Sequence, residues 1–220
     1  PRPAAESGAG KARSMTIKAV VFDIGNVLIE WQPERFFDRE IGGQRRREMF
    51  ANVDLHGMND RVDMGENFTD TVMAAADANP DWAPEIRMWH DRWIDMAAPA
   101  IDRSARLMKA LQAKGTPVFS LTNFGIQTYD IAAKVYPILR EFDRDFISGH
   151  MGVIKPDPQI YQMLEDESGL SGDALLFTDD RADNIAAASA RGWNTHLFTD
   201  PEGWAARLVS EGLLTEDEAQ

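Results

Sequence analysis

The chain contains no cysteine, which removes disulfides, thiolate metal ligation and thiol catalysis together and suits a reducing cytoplasm. It also lacks any apolar run near the ~20 residues needed to span a bilayer. Its N-terminus has no apolar stretch of the roughly 7–15 residues that a signal peptide needs. Positive charge is scarce: 23 Lys and Arg against 36 Asp and Glu leave a formal net charge of −13. A nucleic-acid backbone is bound by basic surface, so a nucleic-acid partner is excluded, as is a membrane one. Arg45-Arg46-Arg47, followed at once by Glu48, reads as a solvated helix face. His90, His150 and His196 show no metal-ligand spacing, and there is no G-x-G-x-x-G and no P-loop.

What is present is a set of apolar strands that end on polar groups. Ala19-Val20-Val21-Phe22 delivers Asp23 to a turn at Gly25-Asn26. Three further strands end near chemistry of the same kind: Thr122-Asn123 after Pro117–Leu121, Lys155 after Phe146-Ile147, and Asp179-Asp180 after Ala174–Phe177. In open α/β sheets ligands bind outside the carboxyl ends of the strands, so these groups can converge on one pocket. An aspartate there can attack phosphorus and form an acyl phosphate. Further carboxylates repel it unless a hard cation intervenes, and Mg²⁺ takes oxygen ligands from carboxylates and a substrate phosphate. Lys155 adds a compact positive charge, and Thr122 with nearby amides can hold phosphoryl oxygens. The set reads as phosphoryl transfer through an enzyme aspartate, with a small phosphorylated metabolite as the partner.

Expected strands at about 17–23, 117–121, 144–148, 174–178 and 194–198 alternate with helical stretches, the pattern of a doubly wound parallel α/β sheet. Ile101, Ala105, Met108 and Leu111 mark one helix ending at Lys114-Gly115. Asp157-Pro158 starts another. Residues 31–97 interrupt the alternation with helical periodicity of their own: Phe68 with Val72, then Ile86, Trp89, Trp93 and Met96. The expected organisation is a leader at 1–14 with Met15 as a possible start, a Rossmann-like core from 15–30 and 98–220, and a helical cap at 31–97. Trp82, Trp89 and Trp93 at helical spacing read as cap core rather than a cofactor box. His56, Asn59, Asp60 and Arg61 read as a polar loop between cap helices, with His56 and Asn59 as substrate-binding candidates.

These motifs resemble those of the haloacid-dehalogenase-like hydrolases, made up mostly of Mg²⁺-dependent phosphatases. Asp23-Ile24-Gly25-Asn26-Val27 looks like the nucleophile motif, Thr122-Asn123 the hydroxyl motif, Ser148 to Asp157 the lysine motif, and Phe177 to Ile185 the acidic motif. The resemblance implies Asp23 as nucleophile, with Thr122 and Lys155 catalytic and Asn123 substrate-binding. For the metal it implies Asp23, the Gly25 carbonyl and Asp180, with Asp179 as supporting neighbour and Asp183 and Asn184 further out. The helical insertion it implies to be a substrate-selecting cap.

One departure matters. Most phosphatases of this family carry a second aspartate two residues after the nucleophile as general acid and base, and this chain has Gly25. The Asp-x-Gly-Asn pattern resembles the bacterial branch that includes α-D-glucose-1-phosphate phosphatases, whose anomeric leaving group needs less help from an acid. With Gly25 there, protons are expected from water, from a cap side chain such as His56, or from the substrate itself. Two other readings stand beside the phosphatase: a 2-haloacid dehalogenase, whose halide leaves without a proton, and an inactive phosphate-binding or regulatory relative.

Overall fold

In a computed structural model, residues 16–220 are described; the leader expected at 1–14, and Met15, lie outside them. Five strands form one sheet: β1 (Ala19–Phe22), β2 (Val118–Thr122), β3 (Arg144–Ile147), β4 (Leu175–Asp179) and β5 (Asn194–Leu197). Their order is β3-β2-β1-β4-β5, and every pairing is parallel. This is the doubly wound α/β sheet that the alternation of elements implied, and each expected strand is present within two residues at either end.

The inner strands β2, β1 and β4 are short, mostly apolar and buried on both sides because helices cover both faces, whereas the edge strands are more open: Arg144 and Asp145 of β3 are exposed and no residue of β5 is fully buried. Side chains alternate between two cores, as the period of two requires. Val20, Phe22, Val118 and Leu176 enter one core, while Ala19, Val21, Phe119 and Phe177 enter the other.

Between β1 and β2 the chain forms α1 (Pro33–Ile41), α2 (Gly43–Asn52), α3 (Leu55–Asp63), α4 (Phe68–Ala78), α5 (Ala83–Asp91) and the single turn α6 (Trp93–Met96). The rest of the chain supplies α7 (Asp102–Ala113), α8 (Ile126–Val135), the short α9 (Ser148–Met151), α10 (Pro158–Ser168), α11 (Ala182–Ser189) and α12 (Pro201–Ser210). Leu107 and Leu111 of α7 and Trp204 of α12 pack on the first face. Ile160, Tyr161 and Leu164 of α10 and Ala188 of α11 pack on the second. Asp157 caps α10 by accepting from the Gln159 amide at 2.8 Å, with Pro158 in the first turn. None of the helices described is long and apolar enough to cross a membrane.

The segment 54–63 is a helix, not the loop its polar residues and Gly57 suggested. Asp54 caps it by accepting from the Gly57 amide at 2.9 Å, and Leu55, Met58 and Val62 give it a buried apolar stripe. A glycine is tolerated in a first turn when the cap and the apolar spacing both favour a helix.

Candidate functional site

Because β1 lies between β2 and β4, three of the four polar strand ends meet at one edge of the sheet. Phe22 is in register with Thr178 of β4 and Ser120 of β2, so Asp23 emerges beside Asp179 and the end of β2. Lys155 comes from beyond β3 and its ammonium sits among all of them. Its Nζ donates to the Leu121 carbonyl at 2.7 Å and to Asp179 Oδ2 at 2.6 Å, and lies 3.0 Å from Asp23 Oδ1.

Asp179 is buried with no further freedom. Besides Lys155 it accepts from the Arg181 amide at 2.8 Å and from the Asn184 side chain at 3.1 and 3.0 Å. It orients Lys155 and stands behind the cavity rather than in it. Asp180 is half-buried and accepts from Asn26 Nδ2 at 3.0 Å. Carboxylate oxygens of Asp23, Asp179 and Asp180 all lie within 4.8 Å of one another. The three groups offer hard oxygens and no nitrogen or sulfur, a donor set that fits Mg²⁺. Both oxygens of Asp179 accept hydrogen bonds, whereas only one oxygen each of Asp23 and Asp180 does, so Asp23 and Asp180 are the freer donors for such an ion.

Charge crowding shows in the proton affinities. Burial, opposed by Lys155 and reinforced by Asp179 and Asp180, pushes the Asp23 carboxyl up to about 7. Burial also raises that of Asp180, against the hydrogen bond from Asn26. Burial disfavours the charge on Lys155, but Asp179 and Asp23 outweigh it and hold the ammonium above the ordinary lysine value.

Asn123 faces the cavity yet is spent on its neighbour. Its Nδ2 donates to the Lys155 carbonyl at 3.0 Å and its Oδ1 accepts from the Lys155 amide at 2.7 Å. It positions the lysine, whereas the sequence had suggested a substrate ligand. Thr122 ends β2, buried, and is not among the residues lining the cavity. Asp183 is held by Arg181 at 3.1 and 2.7 Å and is not among the residues lining the cavity.

The chain turns at Gly25-Asn26, as the sequence implied. The left-handed residue is Asn26, with φ of 57°, and not Gly25. A Cβ placed on Gly25 would meet only Trp31 Cβ, at 3.8 Å. Asn suits a left-handed position, and its side chain both braces Asp180 and accepts from the Trp31 amide at 2.9 Å.

A cavity of about 280 Å³ opens over this cluster. Its floor is Asp23, Gly25, Asn26, Asn123, Lys155 and Asp180, and one wall is α3, which contributes His56, Asn59, Asp60 and Asp63. Those four fall three or four residues apart and so share one helix face. His56 and Asp60 are exposed, Asn59 is intermediate and Asp63 is buried. Sequence reading passed over Asp63 entirely; the spacing His56-Asn59-Asp60-Asp63 was the available signal, masked by reading the segment as a loop.

The opposite wall is aromatic. Trp89 and Trp93 are buried among the inserted helices, as expected, and they also line the cavity, with Trp31 5.8 and 5.5 Å from them between ring centres. Trp82 is half-buried under the Arg45 guanidinium, 4.6 Å from its ring centre. His90 bonds to Thr69 and Asp91, and His196 packs on Trp204. Neither lines the cavity.

The α3 wall is fastened to the core at its C-terminal end. Ser148 Oγ donates to the Asp63 carbonyl at 2.5 Å. Three glycines permit the approach: a Cβ on Gly65 would stand 2.6 Å from the Gly149 carbonyl oxygen, one on Gly149 2.8 Å from that of Phe124, and one on Gly125 2.5 Å from Val62 Cγ1.

The chain is similar to known proteins in sequence and in fold. The family model for haloacid dehalogenase-like hydrolases matches residues 17–192. A sesquiterpene phosphatase of Aspergillus oryzae is 24% identical over 185 residues, 84% of this chain and 91% of that protein. Among solved structures, a haloacid-dehalogenase-family enzyme of Bacteroides thetaiotaomicron superposes with a TM-score of 0.67 at 22% identity, covering 87% of this chain and 98% of that one, and was solved in complex with magnesium and inorganic phosphate. The L-2-haloacid dehalogenase of Xanthobacter autotrophicus superposes with a TM-score of 0.59 at 19% identity, covering 90% of this chain and 85% of that one. With the family model spanning most of the chain and the strand-end groups meeting at one cavity, the protein belongs to the haloacid dehalogenase-like hydrolases.

Proposed function

We propose that this hydrolase is a Mg²⁺-dependent phosphatase that cleaves a small phosphate monoester through an aspartyl phosphate on Asp23. The observation that carries the reading is Asp23 and Asp180 converging at one cavity floor, with Lys155 held between Asp23 and Asp179. Asp23 attacks phosphorus in line, and the phosphorus–oxygen bond to the leaving group breaks. Water then opens the acyl phosphate. Lys155 offsets charge on the phosphoryl oxygens, where most catalysis of this reaction resides. Asp23, Asp180 and the Gly25 carbonyl would hold Mg²⁺, which supplies the positive charge that offsets carboxylate repulsion and polarises the phosphoryl group.

The inserted helices act as the cap that selects the substrate, through His56 and Asn59 on α3 and the Trp31, Trp89 and Trp93 wall. A cavity of about 280 Å³ takes a compact ester. A sugar 1-phosphate is the substrate that Gly25 favours, since its anomeric oxygen leaves with less help. The sesquiterpene phosphatase relative and the tryptophan wall favour a second class, esters with an apolar alcohol portion. A 2-haloacid dehalogenase fits less well, because Asp180 and Asp179 crowd Asp23 with negative charge that a metal-free displacement does not need.

The test is turnover of a panel of sugar phosphates, nucleotides, phosphorylated cofactors and prenyl phosphates with Mg²⁺ and with EDTA. Mg²⁺-dependent release of phosphate supports the reading, and full activity in EDTA or release of halide from 2-chloropropionate rejects it.

A further inference from the structure

With Gly25 unable to carry a proton, the group that protonates the leaving oxygen has to come from elsewhere around the cavity. Beyond the floor, the carboxyl and imidazole groups that line it are Glu30, His56, Asp60 and Asp63, and Glu30 is paired with the Arg35 guanidinium at 2.6 Å. His56 is exposed at the outer end of the α3 stripe and Asp60 is exposed beside it. Asp63, two turns further along the same face, is buried at 9% exposure and lines the same cavity as Asp23, Asp180 and Lys155. We propose that Asp63 is the general acid and base of this enzyme, supplied by the inserted helices in place of the missing core aspartate. This deepens the phosphatase reading and rests on it.

Several features fit Asp63 for the task. Its Oδ2 accepts from Asn59 Nδ2 at 2.9 Å, which fixes the carboxyl's rotation. The Ser148 bond to its carbonyl and the glycine contacts fix the backbone under it. A proton-transfer group needs such positioning, because a misplacement of about 1 Å is costly. Burial, reinforced by Asp60 and Asp23 and opposed by the Gly125 amide and Lys155, pushes its carboxyl up to about 8. It therefore carries a proton at neutral pH. None of this holds for His56, which is exposed and meets Phe50 edge-on, 5.7 Å between ring centres.

The steps balance. As an Asp23 oxygen bonds to phosphorus, the leaving oxygen takes the electron pair of the breaking bond and the proton of Asp63. The alcohol departs. Asp63, now a carboxylate, accepts a proton from the water whose oxygen bonds to phosphorus from the vacated side as the phosphorus–oxygen bond to Asp23 breaks; inorganic phosphate departs, and both Asp23 and Asp63 return to their starting forms.

The experiment compares Asp63→Asn with the parent on p-nitrophenyl phosphate, whose leaving group needs no proton, and on an alkyl ester such as glucose 6-phosphate. A general acid is worth about 10²–10⁴-fold, so kcat/KM on the alkyl ester, which reports only the step that forms the acyl phosphate, should fall by at least that lower figure while kcat/KM on p-nitrophenyl phosphate loses less than about tenfold. Equal losses on both esters, or none on the alkyl ester, would overturn the proposal. The parent enzyme gives a second readout that needs no variant. Its kcat/KM on alkyl esters should decline above about pH 8, where Asp63 loses its proton, and that limb should be absent with p-nitrophenyl phosphate. An identical limb with both esters, or failure of the parent to cleave any alkyl ester, also overturns it. Absence of Mg²⁺-dependent turnover even of p-nitrophenyl phosphate would instead defeat the phosphatase reading beneath.

Discussion

The core and the inserted helices supply the same cavity in opposite ways. Core groups are saturated with bonds: Lys155 answers to Leu121, Asp179 and Asp23, and Asp179 to Lys155, Arg181 and Asn184. On α3, His56 and Asp60 are exposed, and only the inner pair, Asn59 with Asp63, is bonded together. A group that performs chemistry gains from being held, because its geometry costs nothing to assemble at the moment of reaction. One that selects among substrates gains from being replaceable. Core substitutions should therefore act on kcat, and substitutions at the outer end of α3 on KM.

The sharpest way to break this division is Asp23→Asn, which keeps the shape but removes the nucleophile. Turnover should fall by about 10⁴-fold or more, the scale of losing a nucleophile. A kcat within tenfold of the parent would end the assignment. Lys155→Met comes next. It leaves Asp23 and Asp179 buried without their cation, and breaking one partner of a buried pair costs about 3–5 kcal/mol. Turnover and the denaturation midpoint should fall together, and an unchanged midpoint would show that the ion pairs contribute nothing.

Asp180→Asn is intermediate. It removes one of few anionic oxygens, so the Mg²⁺ concentration for half-maximal rate should rise at least about tenfold, the order of one ligand's contribution. An unchanged metal requirement would remove Asp180 from the site. The smallest effect belongs to His56→Ala, where KM should rise by a factor of about 3–10, equivalent to one modest hydrogen bond, with kcat nearly unchanged. A large loss in kcat at constant KM would contradict the division between the two regions.

Most of the core was readable from the sequence because each strand carries its own punctuation: an apolar run, then a polar end, then a helix start. Asp23, Lys155 and Asp180 could be found without knowing the fold. Their bonding could not, since it depends on strand order, which is non-sequential. That Asn123 is consumed by the backbone of Lys155, 32 residues away, has no local signature. Nor has the left-handed turn at Asn26, where the glycine beside it was the more natural choice. In the insertion the failure was of period. Polar residues at 56, 59, 60 and 63 follow a helix, yet Gly57 drew attention to a break, and with the helix went Asp63.

Asp63 also ties pH to folding. In an unfolded chain it ionises near its ordinary value of 3.8, whereas in the folded protein it keeps its proton up to about 8. The unfolded state is thus the one that gives up a proton first, so this contribution to stability is present in full below the lower value and disappears as pH rises towards the upper one. Asn in its place needs no proton, and the variant's denaturation midpoint should decline less between pH 5 and 8 than the parent's, within about the range probed by linkage measurements.

The seam at Gly65, Gly125 and Gly149 has a consequence for exchange between relatives. At Gly65 and Gly125 a methyl group would stand within 3.0 Å of an atom across the joint, and at Gly149 within 3.0 Å of the Phe124 carbonyl on the core side just behind it, so the two sides are cut to each other like a mortise and tenon. An insertion moved onto another member's core without its counterpart at 124–125 and 148–149 would meet side chains where this one meets hydrogen. Grafting new selectivity onto this scaffold is therefore a matter of carrying both halves of the joint, while the outer turns of α3 are open to free replacement.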